Sequence, residues 1–181
     1  MIDLSNSIVE SQANFALKTL VKLSNVNESL VVSPFSLTLA LTLCFIGSKG
    51  KTNNDINKLL FPGINENEFV NYLQTTADDI KELSESYTTV YLGNKMYLKK
   101  NLKINNDYKE KIKKYFKSDI ENIDFTNAND STKIINEYIS NSTNGRIKNF
   151  ISSKDFTSKI DSIIASSITF QSSWKERFKK N

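Results

Sequence analysis

The sequence predicts an α+β fold, with helical segments in the first part of the chain and both strands and helices after them. Three features carry this prediction. Apolar residues recur at helical spacing before residue 83, a period of two residues begins at Thr88, and the segment Phe35–Ile46 is apolar on nearly every side. A helix without a polar face is buried, so the rest of the chain is expected to surround it.

The residues around this apolar segment predict how it begins. Val31–Val32 is predicted to be a short strand. Ser33 then offers a hydroxyl that can accept from a free helix N–H, and Pro34 fits the first helical position, where no N–H is needed. The helix Phe35–Ile46 is therefore expected to start directly after a serine cap.

Three other helices are predicted before residue 84. Thr52 is predicted to cap an amphipathic helix with an inner face of Ile56, Leu59 and Leu60. The helix Ser7–Leu23 is predicted to bury Val9, Ala13, Ala16, Leu17, Leu20 and Leu23. The helix Glu66–Leu83 is predicted from Phe69, Leu73, Ala77, Ile80 and Leu83.

The middle of the chain changes period and then returns to helices. From Thr88 a strand is predicted, with one face of Val90, Leu92, Met96 and Leu98 and the other of Tyr91, Gly93, Lys95 and Tyr97. Two further helices follow, marked by Tyr108, Ile112, Tyr115 and Phe116 and by Ile134, Ile135, Tyr138 and Ile139. Gly145 fits a left-handed position that ends the second one.

The last stretch, Ile160 to Lys180, predicts a long buried strand. Its apolar residues fall on both faces, namely Ile163, Ile164, Ala165, Ile168 and Phe170, with Trp174 and Phe178 after them. If such a strand lacks sheet partners, it presents unpaired backbone groups beside apolar surface. We therefore expect self-association of this chain through unpaired strands.

Composition excludes several classes of function. The chain has 181 residues, enough for one domain with a sizeable core, and a formal net charge of +4, which indicates no nucleic-acid partner. It contains no histidine and a single cysteine, so it offers no Ser-His-Asp triad, no zinc cluster and no internal disulfide. Cys44 lies among apolar neighbours and is expected to be a buried core thiol. No cofactor, metal or catalytic residue is expected.

The expected location is the cytoplasm, because the first residues show neither a basic start nor an apolar run. Extracellular location by leaderless export, or with a missing leader, is the alternative. No segment has the length of a membrane span. Glycosylation patterns begin at Asn27, Asn129 and Asn141, and we expect them to be incidental in a chain rich in Asn and Ser.

A run of lysines raises the alternative of a polyanion-binding module. It comprises Lys99, Lys100, Lys103, Lys109, Lys111, Lys113, Lys114 and Lys117. On the helix that contains Tyr108, these lysines surround the apolar stripe as on any solvated face, and Glu110 interrupts them. A solvated face is therefore the favoured interpretation.

Four motifs in order resemble one known family. The first is V-V-S-P-F-S followed by A-L, then G-x-x-G-x-T and an isoleucine, from Val31 to Ile56. The others are Leu92–Leu98, Ser118–Phe125 and Ile135–Ile147, the last departing from the family pattern at Tyr138 and Arg146. Together with the final strand and its Trp, they identify the chain as similar to serpins, most of which are suicide inhibitors of serine proteases.

The resemblance implies a truncated serpin domain over residues 1–181, in which helices pack on part of the large central β-sheet and the C-terminal half is lacking. The reactive-centre loop belongs to that missing half, so no residue here is expected to be the bait. The implied function is inhibition of a serine-type endopeptidase by loop insertion, not enzymatic activity. The chain alone is expected to be inactive, with a serine protease as partner only of a complete protein.

The resemblance also implies site residues. Ser33 and Ser36 match the small polar residues under the sheet that form the family's "shutter", and Ser166 aligns with its buried Asn. This last position is a departure, since a hydroxyl cannot supply an amide's two donors and its carbonyl. Trp174 matches the "breach" Trp, where the loop first enters the sheet. Simple structural roles compete: a helix cap for Ser33, a satisfied core hydroxyl for Ser36, and apolar packing for Trp174.

Two other functions stay open at this point. A non-inhibitory serpin would act in storage, chaperoning or transport, and the loop hinge that decides this is not among these residues. An incomplete product without an activity of its own is the other. The sequence does not identify a target protease.

Overall fold

The computed structural model describes residues 4–24, 27–82, 88–116, 118–157, 159–174 and 176. The fold is α+β, as expected. In chain order the elements are α1 (Leu4–Leu23), α2 (Pro34–Gly47), α3 (Gly50–Leu60), α4 (Glu66–Glu82), β1 (Thr88–Lys99), α5 (Asn106–Phe116), β2 (Ile120–Ile123), α6 (Ala128–Ser142), a 3-10 turn (Ser153–Asp155) and β3 (Ser162–Ser172). The predicted Leu83 and Phe178 lie outside the described residues.

The described chain divides into two compact units. The first takes in residues 1–74 and 103–119, and the second residues 75–102 and 120–181. The first unit contains a row of buried aromatic rings in which Phe61 stacks on Phe69 with centroids 4.1 Å apart and meets Phe45 edge-on at 4.9 Å. Edge-on and offset rings align the positive edge of one ring with the negative face of the next, which stabilises the pair beyond its burial.

A glutamine joins three helices of the first unit. The Gln12 amide on α1 donates to the Leu60 carbonyl at the end of α3 over 2.8 Å, and its carbonyl accepts from the Thr38 hydroxyl of α2 over 2.9 Å. The bond to Leu60 satisfies one of the carbonyls that every helix C-terminus leaves without an intrahelical partner. A polar side chain therefore fixes α1 against its neighbours.

The buried side of α1 differs from the prediction. Ile8 and Phe15 are both 4% exposed, whereas Leu17 is 60% and Leu20 45% exposed. Val9 and Leu23 are exposed too. Because Gln12 lies one turn from both Ile8 and Phe15, the buried stripe includes a polar residue that an apolar count leaves out. The spacing of apolar residues therefore predicted burial of the neighbouring stripe of α1 instead.

Three predictions near α2 are wrong. Val31–Val32 forms no strand; Val31 is 99% exposed, and no described strand pairs with it. The helix after α2 begins at Gly50 rather than at a Thr52 cap. Nor is α2 buried on every side, because Leu37 is 36% exposed. An all-apolar sequence predicts that burial is favourable, but only packed neighbours can provide it.

The second unit is built on a sheet of order β2-β1-β3. β1 pairs with β2 in parallel over four residues, from Met96 opposite Ile120 to Lys99 opposite Ile123. It pairs with β3 antiparallel without interruption, from Thr88 opposite Ser172 to Leu98 opposite Ser162. β1 therefore occupies the centre, and β3 lies at one edge.

Helix α6 covers one end of this sheet. Its Ile135 and Ile139 are fully buried in a cluster with Tyr97 of β1 and Ala165 of β3. At Gly93 the approach is closer still: an added Cβ would lie 2.6 Å from the Ser142 Cβ. The missing side chain lets the end of α6 come down onto the strand.

The segment after α6 is held by its own polar side chains. Gly145 takes the predicted left-handed conformation, with φ of 74°, and its N–H donates to the Ser140 carbonyl over 2.7 Å. The Asn136 amide donates to the Ile151 carbonyl at 2.8 Å and accepts from the Ile151 N–H at 2.9 Å. Asn136 and Gly145 both belong to the motif Ile135–Ile147, and these contacts give a structural reason for their positions in it.

The strand predicted to be buried throughout is buried only in part. Ala165 and Ser167 are buried, and Ile163, Ile164 and Ile168 are half-buried. Phe170, however, is 70% exposed. Its exposure corrects the prediction, which assumed cover along the whole strand.

Candidate functional site

Ser33 is the N-cap of α2. It has extended backbone angles, and its Oγ accepts a hydrogen bond from the Ser36 N–H over 3.2 Å. With Pro34 at the first helical position, this geometry satisfies one of the free N–H groups of the first turn. The cap role expected from the sequence is confirmed, and the shutter role stays a prediction.

Ser36 is one of three buried hydroxyl residues on α2. It is 8% exposed, and Thr38 and Thr42, which lie one turn apart on another side of the helix, are fully buried. The Thr42 hydroxyl donates to the Thr38 carbonyl over 2.7 Å. Buried hydroxyls need such partners, because a lost hydrogen bond in the interior is costly. A helix that is apolar by composition therefore buries its few hydroxyls.

Ser166 lies in the second unit, on β3, directly opposite Asn94 of β1. Its neighbour Ser167 is buried, and the Ser167 Oγ lies 2.9 Å from the Ser142 Oγ of α6. The Ser167 hydroxyl therefore joins β3 to α6. The family resemblance pointed to Ser166 alone; Ser142 and Ser167 become recognisable only once α6 is placed on the strand. Whether Ser166 acts as a shutter residue stays a prediction.

Trp174 follows the end of β3 and is 72% exposed. Together with Phe170, Gln171, Ser172 and Ser173 it lines a hollow of about 530 Å³. Whether Trp174 packs or acts at the breach therefore stays a prediction. Phe170, which the sequence predicted to be core, is the site residue that the prediction missed.

Lys95 lies between two tyrosines at the covered end of the sheet. Its Nζ is 2.7 Å from Oε2 of Glu121, 5.3 Å from the Tyr97 ring centre and 5.4 Å from the Tyr138 ring centre. Cations favour the negative faces of aromatic rings. Burial raises the pKa of Tyr138 to about 12, and burial followed by the Glu121 charge raises the pKa of Tyr97. Both hydroxyls are therefore neutral at physiological pH.

Two other sequence candidates belong to the first unit. Cys44 is half-buried rather than fully buried, and desolvation raises the pKa of its thiol, which keeps it protonated and unreactive. The lysines of α5 are exposed, namely Lys109, Lys111, Lys113 and Lys114. They lie around the buried Ile112, as expected for a solvated face; Lys117 lies outside the described residues.

Among the described residues, no three Cys, Asp or Glu side chains come together in a way that could hold a metal ion. The helices in this part of the chain also include none that is long and apolar enough to cross a membrane.

The comparison with protein families matches residues 10–181 to the model described as "Serpin (serine protease inhibitor)". The chain belongs to the serpin family. Serpins are named for inhibition of proteases, in agreement with the expectation that this chain is not an enzyme. The resemblance inferred from the four motifs is thereby confirmed.

Curated relatives extend beyond this chain. Neuroserpin of Gallus gallus is 29% identical over 154 residues, 84% of this chain and 37% of that protein. Serine protease inhibitor 42Dd of Drosophila melanogaster is 26% identical over 171 residues, 94% of this chain and 46% of that protein. The chain therefore spans less than half the length of these relatives.

Solved structures show the same fold. A native stressed form of Arabidopsis AtSerpin1 is 20% identical and matches 99% of this chain with a TM-score of 0.86, covering 47% of its own chain. The thermophilic serpin tengpin in its latent state is 22% identical over 99% of this chain, again 47% of its own, with a TM-score of 0.87. The serpin fold of the matched part is therefore established.

Proposed function

We propose that these residues are the N-terminal part of a serpin that inhibits a serine-type endopeptidase by loop insertion. One observation carries the proposal: β3 is paired along one edge only within the described chain. An inhibitor of this kind needs a sheet that can accept one more strand. The family description supports the choice of a serine protease as partner.

The proposed reaction begins on a loop that these residues do not supply. The protease serine attacks the carbonyl of the bait residue, the peptide bond breaks, and an acyl-enzyme ester forms. The freed loop then enters the sheet as a strand and distorts the protease before water can cleave the ester. The energy comes from strain released by cleavage and is not supplied by a catalytic group of the inhibitor.

Four residues of this chain have proposed parts in strand entry. Ser33 and Ser36 would exchange hydrogen bonds as the strands move, which small hydroxyls can do without leaving a large void. Ser166 would occupy the family's Asn position with a smaller hydrogen-bonding capacity. Trp174 would lie where the entering loop makes its first contacts, and its exposure in the hollow beside Phe170 supports this placement.

We also propose that the 181-residue chain alone does not inhibit. The test mixes the purified chain with trypsin-like and chymotrypsin-like serine proteases and looks for a covalent complex that survives denaturing electrophoresis. No complex is expected. An active-site-blocked protease serves as control, because any band that persists with it is non-covalent carry-over.

The intact mass of the protein from its source gives the complementary measurement. A product well above 20.6 kDa would contain further residues, and it is expected to form the covalent complex that the chain alone lacks. A covalent complex formed by the 181 residues would contradict the assignment of the bait to residues outside them. A longer product that leaves every protease fully active would favour a non-inhibitory serpin.

A further inference from the structure

An asparagine followed by a glycine lies directly after α6. Asn144 has a left-handed backbone with φ of 50°, and Gly145 continues it with φ of 74°. Of the five glycines in the sequence, only Gly145 follows an asparagine. Because a glycine carries no Cβ, its backbone nitrogen can approach the preceding side chain more easily than that of any other residue. The step therefore has the composition that favours spontaneous loss of the asparagine amide.

The reaction at this step needs water as its only co-reactant. The Gly145 nitrogen loses its proton and attacks Cγ of Asn144, a C–N bond forms, and the side-chain nitrogen leaves as ammonia. Water then opens the resulting five-membered imide at one of its two carbonyls. One opening leaves an aspartate, and the other leaves an isoaspartate, in which the main chain runs through the former side chain.

The end of α6 opposes the first of these steps. The Gly145 N–H donates to the Ser140 carbonyl over 2.7 Å, which holds the proton that the attacking nitrogen must lose. The side-chain amide of Asn144 donates to the Tyr91 hydroxyl of β1 over 3.3 Å. Both groups that must meet are therefore hydrogen-bonded elsewhere while the end of α6 lies on the strand.

We propose that Asn144 is a deamidation site of this chain, and that the packing of the end of α6 on β1 controls its rate. The site is protected while that end is in place and reacts when it opens, since a helix end opens locally at a lower free energy than the whole chain unfolds. The contact that holds the end in place is the close approach at Gly93, where an added Cβ would lie 2.6 Å from the Ser142 Cβ.

Either product weakens the contacts that protect the site. An aspartate at position 144 adds a negative charge at the C-terminus of α6, where the helix dipole disfavours it. An isoaspartate lengthens the main chain before Gly145, so the bond from the Gly145 N–H to Ser140 loses its cap geometry. The last amides of α6 are therefore expected to exchange hydrogen faster in Asn144→Asp than in the wild type.

The experiment follows deamidation of the folded 181-residue chain and of the same chain in guanidinium chloride, at one pH and temperature. Peptide mapping by mass spectrometry locates each converted asparagine and separates aspartate from isoaspartate. Folding is expected to slow the reaction at Asn144 by at least about tenfold. Asn149 is the matched control within the chain, because it also has a left-handed φ of 52° but precedes Phe150, whose side chain hinders ring closure.

A variant tests whether the end of α6 sets the rate. Gly93→Ala forces Ser142 away from the strand, so it should speed the reaction at Asn144 in the folded chain by at least about threefold and leave the unfolded rate unchanged. If this variant loses the circular dichroism of the folded chain, Thr143→Val replaces it, because it removes the hydroxyl that accepts from the Ile147 N–H over 3.1 Å.

Four outcomes would overturn the proposal. They are equal rates at Asn144 in the folded and the unfolded wild type, an unfolded chain in which Asn149 reacts before Asn144, a folded variant that reacts no faster than the wild type, and unchanged hydrogen exchange of α6 in Asn144→Asp. Inhibition of a protease does not enter any of these measurements, so they are independent of the proposed function.

Discussion

The two faces of the β1–β3 pair have different surroundings. On one face, near one end of the pair, Tyr97 lies opposite Ile163 and is fully buried with α6 above it. On the opposite face, near the other end, Val90 lies opposite Phe170, and Phe170 is 70% exposed. Both pairs combine an aromatic with a β-branched residue, the favourable type of cross-strand pair. Cover by a helix, and not the pair itself, decides which aromatic ring belongs to the core.

The largest expected difference comes from truncating the two rings. Tyr97→Ala should destabilise the second unit by about 3–5 kcal/mol, because it opens a cavity beneath α6. Phe170→Ala should change stability by no more than about 0.5 kcal/mol at concentrations where the chain is monomeric. Hydrogen exchange of the β1 amides measures both. Equal losses for the two variants would mean that the open end is packed as tightly as the covered end.

A smaller effect is expected where α6 reaches the strand. Gly93→Ala places a Cβ 2.6 Å from the Ser142 Cβ and 3.0 Å from the Ser167 Oγ, which should cost about 1–3 kcal/mol through overpacking. Urea unfolding of the variant measures the loss. Adding Ser142→Gly removes the nearest clash and should recover part of it, while Ser142→Gly alone serves as the control. If Gly93→Ala unfolds at the same urea concentration as the wild type, α6 does not pack closely against β1 at this position.

The smallest expected effect is a pH dependence of the covered end. Burial raises the pKa of Tyr138 from its ordinary value of about 10 to about 12. Between these values the folded chain binds the proton more strongly than the unfolded chain does, so its stabilising contribution is complete below pH 10 and is lost as the pH rises through 12.

Replacing Tyr138 by Phe removes this titration while it keeps the ring. Urea midpoints of the Tyr138→Phe variant should therefore fall less between about pH 9 and about pH 11 than those of the wild type. Tyr108 of the first unit, whose pKa burial also raises to about 12, contributes equally to both proteins. Parallel decreases in the two proteins would show that the Tyr138 hydroxyl is solvated.

Local signals along the chain predicted most of the elements. Ser33 followed by Pro34 begins α2, Gly145 ends α6 in a left-handed conformation, and the two-residue period after Thr88 becomes β1. Each of these depends on the chemistry of a few adjacent residues: a hydroxyl acceptor, an absent N–H, or an absent Cβ. The family followed from the same kind of short motif.

The predictions that were wrong concern residues whose structure depends on contacts with residues distant in sequence. Val31–Val32 forms no strand because a strand requires a partner, which no local pattern can supply. The buried stripe of α1 runs through Gln12, whose amide finds Leu60 far along the chain. In the candidate site, Ser166 and Trp174 came from motifs, whereas Ser142, Ser167 and Phe170 depended on where α6 covers β3.

The sequence by itself determined that this chain is α+β, that α2 starts after Ser33, and that the chain is a serpin. These properties depend on residue types at short spacing, which act before any distant contact forms. The tertiary structure decided which apolar faces are covered: Tyr97 beneath α6, Phe170 in water, and β3 at the edge of the sheet. Burial depends on the area that other elements remove from water, so it becomes fixed only when those elements pack.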